Sequence, residues 1–429
     1  MPAAIAAREV TMAPVVNVIG AGLAGLAAAW KFVDAGWRVR LFEAAGHAGG
    51  RCRSLPDQRF GTAIDNGSHL LFAINRDTLA FLRGVGAPST SLVPCDGTPF
   101  FDLGDGVRWR VSPGGESALW LLGRGLKIPG VSRLCLLGQG AKLLSAKAGT
   151  TVGERVPTSG MAWRRFWKPF LSAVFNAEPA GVSAPHAAEV LRRLAFAGAA
   201  GGRPLQAARP WSEIVAEPAL AYLRARGADV RLSSPLLALD RGEGRVRRLV
   251  FRRGAIDCGG EAVVLAIPNA AAHRLCPDAV PAIPSSPIVN LHFRTEADQG
   301  LGFCGIVGGV ADWVFWRGDV VSVTIAGGAP EADADPDTLA ATVWAEARRV
   351  LPKPVSEGPP SWHRIVEKRA TSSASPEAFR LRPPARTPHP NLVLAGDWTD
   401  TGLPSTIEGA VRSGFLAAAA LAGNSVFRP

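Results

Sequence analysis

One tyrosine, Tyr222, and three methionines occur in 429 residues, and only seven of the 47 basic residues are lysine. The six cysteines (Cys52, Cys95, Cys135, Cys258, Cys276 and Cys304) are scattered without CxxC spacing. That pattern excludes a zinc finger or a disulfide framework and fits reduced cytosolic thiols, so no metal centre is expected. No apolar run approaches the roughly 20 residues of a bilayer-spanning helix. Met1 to Pro14 is Ala-rich and lacks a basic start followed by a continuous apolar core, so it does not read as a signal peptide, and Met12 is an alternative start. Acids are outnumbered, giving a formal net charge of +11. Such a balance suits nucleic acid or an anionic membrane surface. No zinc finger and no interleaved basic and aromatic stripe accompanies it, which argues against nucleic acid. The densest basic cluster, Arg241 to Arg253, reads as a solvated hairpin edge that resists strand pairing.

The chain does have a large apolar fraction, 47%, and a length that suggests two or three domains. Val15 to Ile19 is a short β-branched run, the composition of a strand buried on both faces. It leads into Gly20-Ala21-Gly22-Leu23-Ala24-Gly25, a helical pattern to Asp34, a break at Gly36, and a second strand from Arg38 to Phe42 that ends at Glu43. In a GxGxxG turn of this kind Gly20 makes the tight turn, Gly22 lets backbone N–H groups approach a pyrophosphate, and Gly25 lets helix and strand pack closely. The pyrophosphate sits on the positive end of the helix. Glu43 is placed to accept from ribose hydroxyls and would repel a 2′-phosphate, which argues against NADP. Strand, helix, strand and acid in register point to dinucleotide binding.

Next come Gly49-Gly50-Arg51, a loop unnecessary for NAD but sensible if it turns back over a longer cofactor, with Arg51 neutralising the diphosphate. Arg59 to Ile64 reads as a strand entering the polar turn Asp65-Asn66-Gly67-Ser68-His69, and a helix is expected from Arg76 to Arg83. Short strands are expected at Phe100 to Leu103 and Val107 to Val111. Ser117 to Lys147 mixes Leu, Trp and Cys with five basic residues and almost no acid. It either lies in a membrane interface or covers a substrate cavity with its basic residues facing water. A helix is expected over Phe166 to Phe175, ending at Asn176. Gly227 through Asp240 and Arg245 to Phe251 read as paired strands, and Ala262 to Pro268 as another buried strand. Pro287 to Phe293, Trp313 to Trp316 and Val320 to Ala326 read as strands of one sheet, followed by a helix over Asp337 to Val350. Asn391 to Asp397 is a last buried strand, and Pro404 to Ala410 opens an Ala/Leu-rich helix to about Ala422. A strand, an acid and a helix N-terminus can set Asp397 on a ribityl or phosphate region.

Taken together, these stretches resemble the flavin amine oxidase and phytoene desaturase superfamily. The resemblance rests on the fingerprint, Glu43, Gly49-Gly50-Arg51, Asp65-Asn66-Gly67, Ala266-Ile267-Pro268, Ala395-Gly396-Asp397 and Glu408-Gly409-Ala410. Within it the chain is similar to the squalene-associated hydroxysqualene dehydroxylases of bacterial hopanoid biosynthesis. Asp65 to Leu71, Phe166-Trp167-Lys168-Pro169-Phe170 to Asn176, Val190 to Arg193 and, most specifically, Ala395 to Gly414 carry that likeness. The resemblance implies an α/β chain with a Rossmann-like FAD-binding domain from 13–90, 203–270 and 388–429, and an inserted α+β substrate domain from 91–202 and 271–387. It implies FAD held by Gly20, Gly22, Leu23, Ala24, Gly25, Glu43, Ala44, Gly50, Arg51, Gly67, Ser68, His69, Gly396, Asp397, Ser405, Thr406, Ile407 and Ala410, with the backbone of Leu236 against adenine.

What it implies chemically is reduction of hydroxysqualene to squalene by reduced FAD with loss of water, by a cytosolic protein in peripheral contact with the inner face of the cell membrane. Such a site needs an acid for the departing oxygen and an apolar hollow for a long hydrocarbon. His69 is the first candidate, because its ordinary pKa suits proton donation near neutrality; alternatively it bonds backbone or flavin oxygen without proton transfer. Asp65, Lys168 and Asp400 follow, with Lys168 either holding a water or lying on a wet helix face. Twelve Trp and 18 Phe fit a greasy pocket, although most such rings are ordinary core. Competing readings are an amine oxidase, disfavoured by the single Tyr and by the lack of a Cys near Glu408 to tether flavin, a carotenoid-type desaturase, and a non-catalytic lipid carrier like the prenyl-protein escort factors.

Overall fold

The computed structural model describes residues 13–112 and 127–422. Five parallel strands form one sheet, in the order Asp229–Arg231, Arg38–Phe42, Val15–Ile19, Ala262–Leu265 and Leu392–Leu394. Val16, Val18, Val263 and Val264 are fully buried, as expected for central strands covered on both faces. Burying each such side chain contributes about 1.5–3 kcal/mol. The first helix, Leu23–Asp34, lies against this sheet with all but three of its residues buried. Its outer partner is the last helix, Ile407–Ala422, and contact is close because Gly414 has no side chain: a Cβ there would stand 2.3 Å from the Ala24 carbonyl oxygen.

The second large sheet has seven strands, ordered Trp362–Ser372, Ser285–Arg294, Val320–Ala326, Trp313–Arg317, Leu301–Val307, Thr98–Asp102 and Arg108–Val111. Alternation along these strands sorts two faces. Val289, Leu291, Phe293, Val321, Val323 and Ile325 bury against the helix Pro336–Ala347, whose Trp344 is fully enclosed. Asn290, His292, Ser322 and Thr324 alternate with them and so project from the opposite face.

Several expectations are refined. Gly227 to Asp240 is not one strand: Asp229–Arg231 joins the parallel sheet beside Arg38–Phe42, and only Leu236–Gly242 turns back on Arg245–Phe251. The basic hairpin edge carries ion pairs, Arg248 with Asp240 and Arg241 with Asp278. The strand expected over Arg59 to Ile64 is Thr62–Asp65, paired with Ser54–Asp57. The expected helix to Asn176 is an α-helix over Lys168–Phe175 entered through a π-helical turn at Trp163–Trp167, and Asn176 closes it in the left-handed conformation. The strands Leu301–Val307 and Trp362–Ser372 were not expected. All six cysteines are free thiols.

Candidate active site

At the nucleotide end the local geometry follows from the glycines. Gly20 has φ +103°, and a Cβ there would lie 2.3 Å from the Ala266 carbonyl oxygen; one on Gly25 would lie 1.9 Å from the Gly20 oxygen. Around Gly22 the nearest heavy atom to a Cβ is the Gly50 Cα at 3.9 Å, so the turn stays open there. The loop with Gly49-Gly50 returns over it, and the Gly49 N–H donates to the Ala21 carbonyl at 2.8 Å. No side chain caps the first helix and its first turn holds no acid, so the N–H groups beginning at Leu23 and Ala24 keep their positive end. Glu43 accepts from the Ala21 N–H at 2.7 Å and the Ala45 N–H at 2.8 Å. Those two bonds fix the carboxylate and leave one acceptor direction on each oxygen. Ala44 is exposed beside it, and the Ser234 N–H, two residues before Leu236, donates to the Glu43 carbonyl.

Arg51 reaches across to the C-terminal segment, where it donates to Asp397 Oδ1 at 2.6 Å and to the Ala370 carbonyl. Asp397 is buried in the loop after Leu392–Leu394, beside Gly396, whose N–H donates to Ser413 Oγ at 2.7 Å. Arg382, which the sequence reading missed, holds this loop from behind: its guanidinium donates to the carbonyls of Asp397 and Leu403 and to Ser405 Oγ. Burial pushes Arg382 down to about 10. Thr406 Oγ1 accepts from the Gly409 N–H at 3.1 Å and opens the helix that carries Ile407 and Ala410. Glu408 turns away from this site. Buried, it accepts from the N–H groups of Asp77 and Thr78 and so caps the helix Arg76–Gly84.

The third part is the turn Asp65 to His69. Asp65 is braced: Oδ1 accepts from Ser54 Oγ and the Trp211 N–H, and Oδ2 pairs with Arg317 at 3.0 Å. The paired carboxylate is suited to holding the turn in place more than to giving up a proton. Gly67 lies against Asn290, which donates to the Asn66 carbonyl at 3.2 Å and accepts from Thr324 Oγ1 at 2.8 Å. His69 packs edge-on against Trp211, at 5.6 Å between ring centroids, and its Nε2 is buried without a hydrogen-bond partner among the described residues. Burial pushes its pKa down to about 4, so the imidazole is neutral near pH 7 and the expectation that it titrates there is not met. Beside it opens a cleft lined by Asp65, Ser68, His69, Gln206, Trp211 and Arg317, with Phe315 and Ser322 from the seven-stranded sheet.

The remaining catalytic candidates lie elsewhere. Lys168 is exposed at the start of its helix, where its charge acts on Asp312, whose carboxyl burial pushes up to about 6. Asp400 is exposed and its field falls on His186 and Arg382. Of Ser117 to Lys147, residues 117–126 lie outside the described residues; the rest holds the helix Arg133–Leu144, with Leu134 80% exposed. Gln206, Ser322, His292 and Arg317 were not singled out from sequence, because none belongs to a local motif. Cys276, Asp278 and His389 come within reach of a shared ion, but Arg241 Nη1 already sits there, donating to Asp278 and 3.2 Å from His389 Nε2.

The residues present fit FAD. An open glycine turn meets an uncapped helix, the Glu43 carboxylate is fixed beside that turn with acceptor directions free, and Asn66 Oδ1 and His69 Nε2 are buried and unpartnered. Residues 23–422 match the family model of flavin containing amine oxidoreductases. The cyclohexylamine oxidase of Brevibacterium oxydans superposes with a TM-score of 0.69 at 17% identity, over 96% of this chain and 99% of that one. Two curated proteins named hydroxysqualene dehydroxylase align over nearly the full length. That of Rhodopseudomonas palustris is 39% identical over 95% of this chain and 98% of its own, and that of Sinorhizobium fredii 37% identical over 94% and 97%. The chain belongs to the hydroxysqualene dehydroxylase family, within the FAD-dependent flavin containing amine oxidoreductases.

Proposed function

We propose that this enzyme reduces hydroxysqualene to squalene with loss of water. The observation that carries the reading is the near full-length likeness to two relatives of that name, and the Asp65–His69 cleft fits it: a small, largely polar recess with unpartnered buried atoms, bordered by the rings of Trp211, Phe315 and Trp316. A recess of that size suits the hydroxyl end of the substrate.

Bound FAD supplies the hydride equivalent. Gly20, Gly22, Leu23, Ala24 and Gly25 hold its diphosphate with backbone N–H groups, Glu43 and Ala44 its ribose, and Leu236 its adenine. Gly50 and Arg51 cover the diphosphate, while Arg51 and Asp397 form a pair that keeps a buried carboxylate from facing the phosphates unneutralised. Gly67, Ser68, His69, Gly396, Ser405, Thr406, Ile407 and Ala410 border the ring and its ribityl chain. Among the catalytic candidates His69 alone keeps a role at the reacting end, as a neutral hydrogen-bonding group. Asp65 braces it, and Lys168 and Asp400 have none there.

The flavin domain is taken as 13–90, 203–270 and 388–429, and the substrate domain as 91–202 and 271–387. No helix among the described residues is long and apolar enough to cross a membrane. A cytoplasmic enzyme touching the inner membrane face fits the exposed Leu134, Leu144 and Phe196 and the neighbouring Lys142 and Lys147. The test is anaerobic: reduced, FAD-loaded protein mixed with hydroxysqualene is expected to yield squalene with stoichiometric flavin oxidation. An inert flavin that instead turns over an amine or a carotene rejects the reading.

A further inference from the structure

Two unpartnered acceptors share the cleft beside His69. Gln206 is 4% exposed and sits on the strand Pro204–Ala207, opposite Leu70 in register. Its Nε2 donates to the Gly302 carbonyl at 2.7 Å and lies 3.4 Å from that of Trp316, which fixes the amide and leaves Oε1 in the cleft without a partner. His69 Nε2 is the second. A neutral imidazole carries one N–H and one lone pair, so Nε2 can accept from a hydroxyl placed beside it. From the seven-stranded sheet Ser322 lines the same cleft, its Oγ 2.8 Å from Nδ1 of the fully buried His292, together with Arg317, which is paired with Asp65. Buried acceptors of this kind are costly when nothing satisfies them.

We infer that this cleft is the seat of the departing oxygen, with Gln206 and His69 accepting the two O–H bonds of the water formed. This deepens the proposed dehydroxylation and rests on it. The substrate hydroxyl has one hydrogen to give and the product water has two, so the pair is better satisfied by the leaving group than by the ground state, which is how a site favours bond breaking. In the step, one solvent proton would reach the oxygen as the C–O bond breaks with its electron pair on oxygen, so that the leaving group is water with two O–H bonds. The hydride equivalent that bound, reduced FAD would supply forms the new C–H bond. Carbon is reduced and flavin oxidised. Gln206 and His69 are thereby residues that touch the reacting oxygen, and His292 is a positioning residue acting through Ser322.

Two measurements test this. In single-turnover reoxidation of the reduced holoenzyme by hydroxysqualene, Gln206→Met is expected to slow the flavin signal about 10- to 100-fold, and Gln206→Glu, which keeps an acceptor, to recover part of it. Oxidation of the same reduced flavin by dioxygen, which breaks no C–O bond, is expected to be unaltered. Wild-type turnover with an unslowed Gln206→Met enzyme overturns the inference and leaves the proposed function standing. Independently, a crystal structure of the FAD-loaded protein without substrate is expected to show an ordered water bonded to both Gln206 Oε1 and His69 Nε2. A water there in a protein inert to hydroxysqualene keeps the cleft as a hydroxyl site and rejects the reaction; no water at those atoms rejects the cleft.

Discussion

Arg51 and Asp397 stand 346 residues apart in sequence and meet at 2.6 Å. The pair stitches the loop after the second strand of the nucleotide sheet to the loop after its last strand. Asp397 is 4% exposed, so its carboxylate depends on this partner. Replacing Arg51 by Met leaves a buried charge unpaired and removes a cation from the covering loop. Arg51→Met is expected to purify with little flavin and to lose about 1–3 kcal/mol of stability, read by the 450-nm-region flavin absorbance and by urea titration. The double variant Arg51→Met/Asp397→Leu is expected to regain much of the stability without regaining flavin. Full flavin content in the single variant would contradict this.

A second ion group locks the end of the strand Thr98–Asp102. Asp102, fully buried at the end of its strand, accepts from Arg164 and from Arg165 Nε at 3.0 Å, and Arg165 also pairs with Asp105 and donates to the Pro129 carbonyl. Asp102→Ala strands the buried Arg165 beside a cavity. The expected loss is about 3–5 kcal/mol, seen as a lower urea midpoint with an unchanged slope. A loss below ~1 kcal/mol would mean that Asp105 alone satisfies Arg165.

His69 and His292 are each pushed down to about 4 by burial, against an ordinary value of 6.5. Below 6.5 the unfolded chain takes up protons that the folded chain refuses, so stability falls as pH drops from 6.5 toward 4. It is fully present above that window. The slope is at most about 1.4 kcal/mol per pH unit for each histidine. Comparing urea midpoints at about pH 7 and about pH 5, His292→Gln is expected to flatten the dependence by close to one proton. An unchanged slope would show that His292 is already protonated in the folded state.

Local chemistry explains what could be read from sequence. Gly25 is required by the carbonyl of Gly20, five residues away, and the β-branched runs around Val16 and Val263 need both faces covered; such demands show in a short window, whereas the contact of Gly414 with Ala24 does not. Trp362–Ser372 hid because Arg364, Glu367, Lys368 and Arg369 break its apolar alternation, and its pairing with Ser285–Arg294 is long-range. The turn that carries His69 was legible but the charge state of its imidazole was not, since burial is a property of the assembled fold. Gln206 lies in a four-residue strand with no motif, and its free oxygen is defined only by where Gly302 and Trp316 present their carbonyls.

The helix Arg133–Leu144 buries Leu136, Gly140 and Leu143 but turns Leu134 and Leu144 outward, and Phe196, at the end of the helix Ala184–Phe196 that packs on it, is 75% exposed. Water-facing groups of this size cost a soluble surface without stabilising it, whereas in a membrane interface each transfers apolar area out of water. Lys142 and Lys147 are exposed nearby, and each basic group near an anionic surface adds about 1 kcal/mol. Leu134→Asp/Phe196→Asp is therefore expected to lower binding to vesicles containing anionic lipid by about tenfold or more in a sedimentation assay, with flavin content unaltered. Added salt is expected to weaken the wild-type protein further through the lysines. Equal sedimentation of both proteins would mean that this face makes no membrane contact.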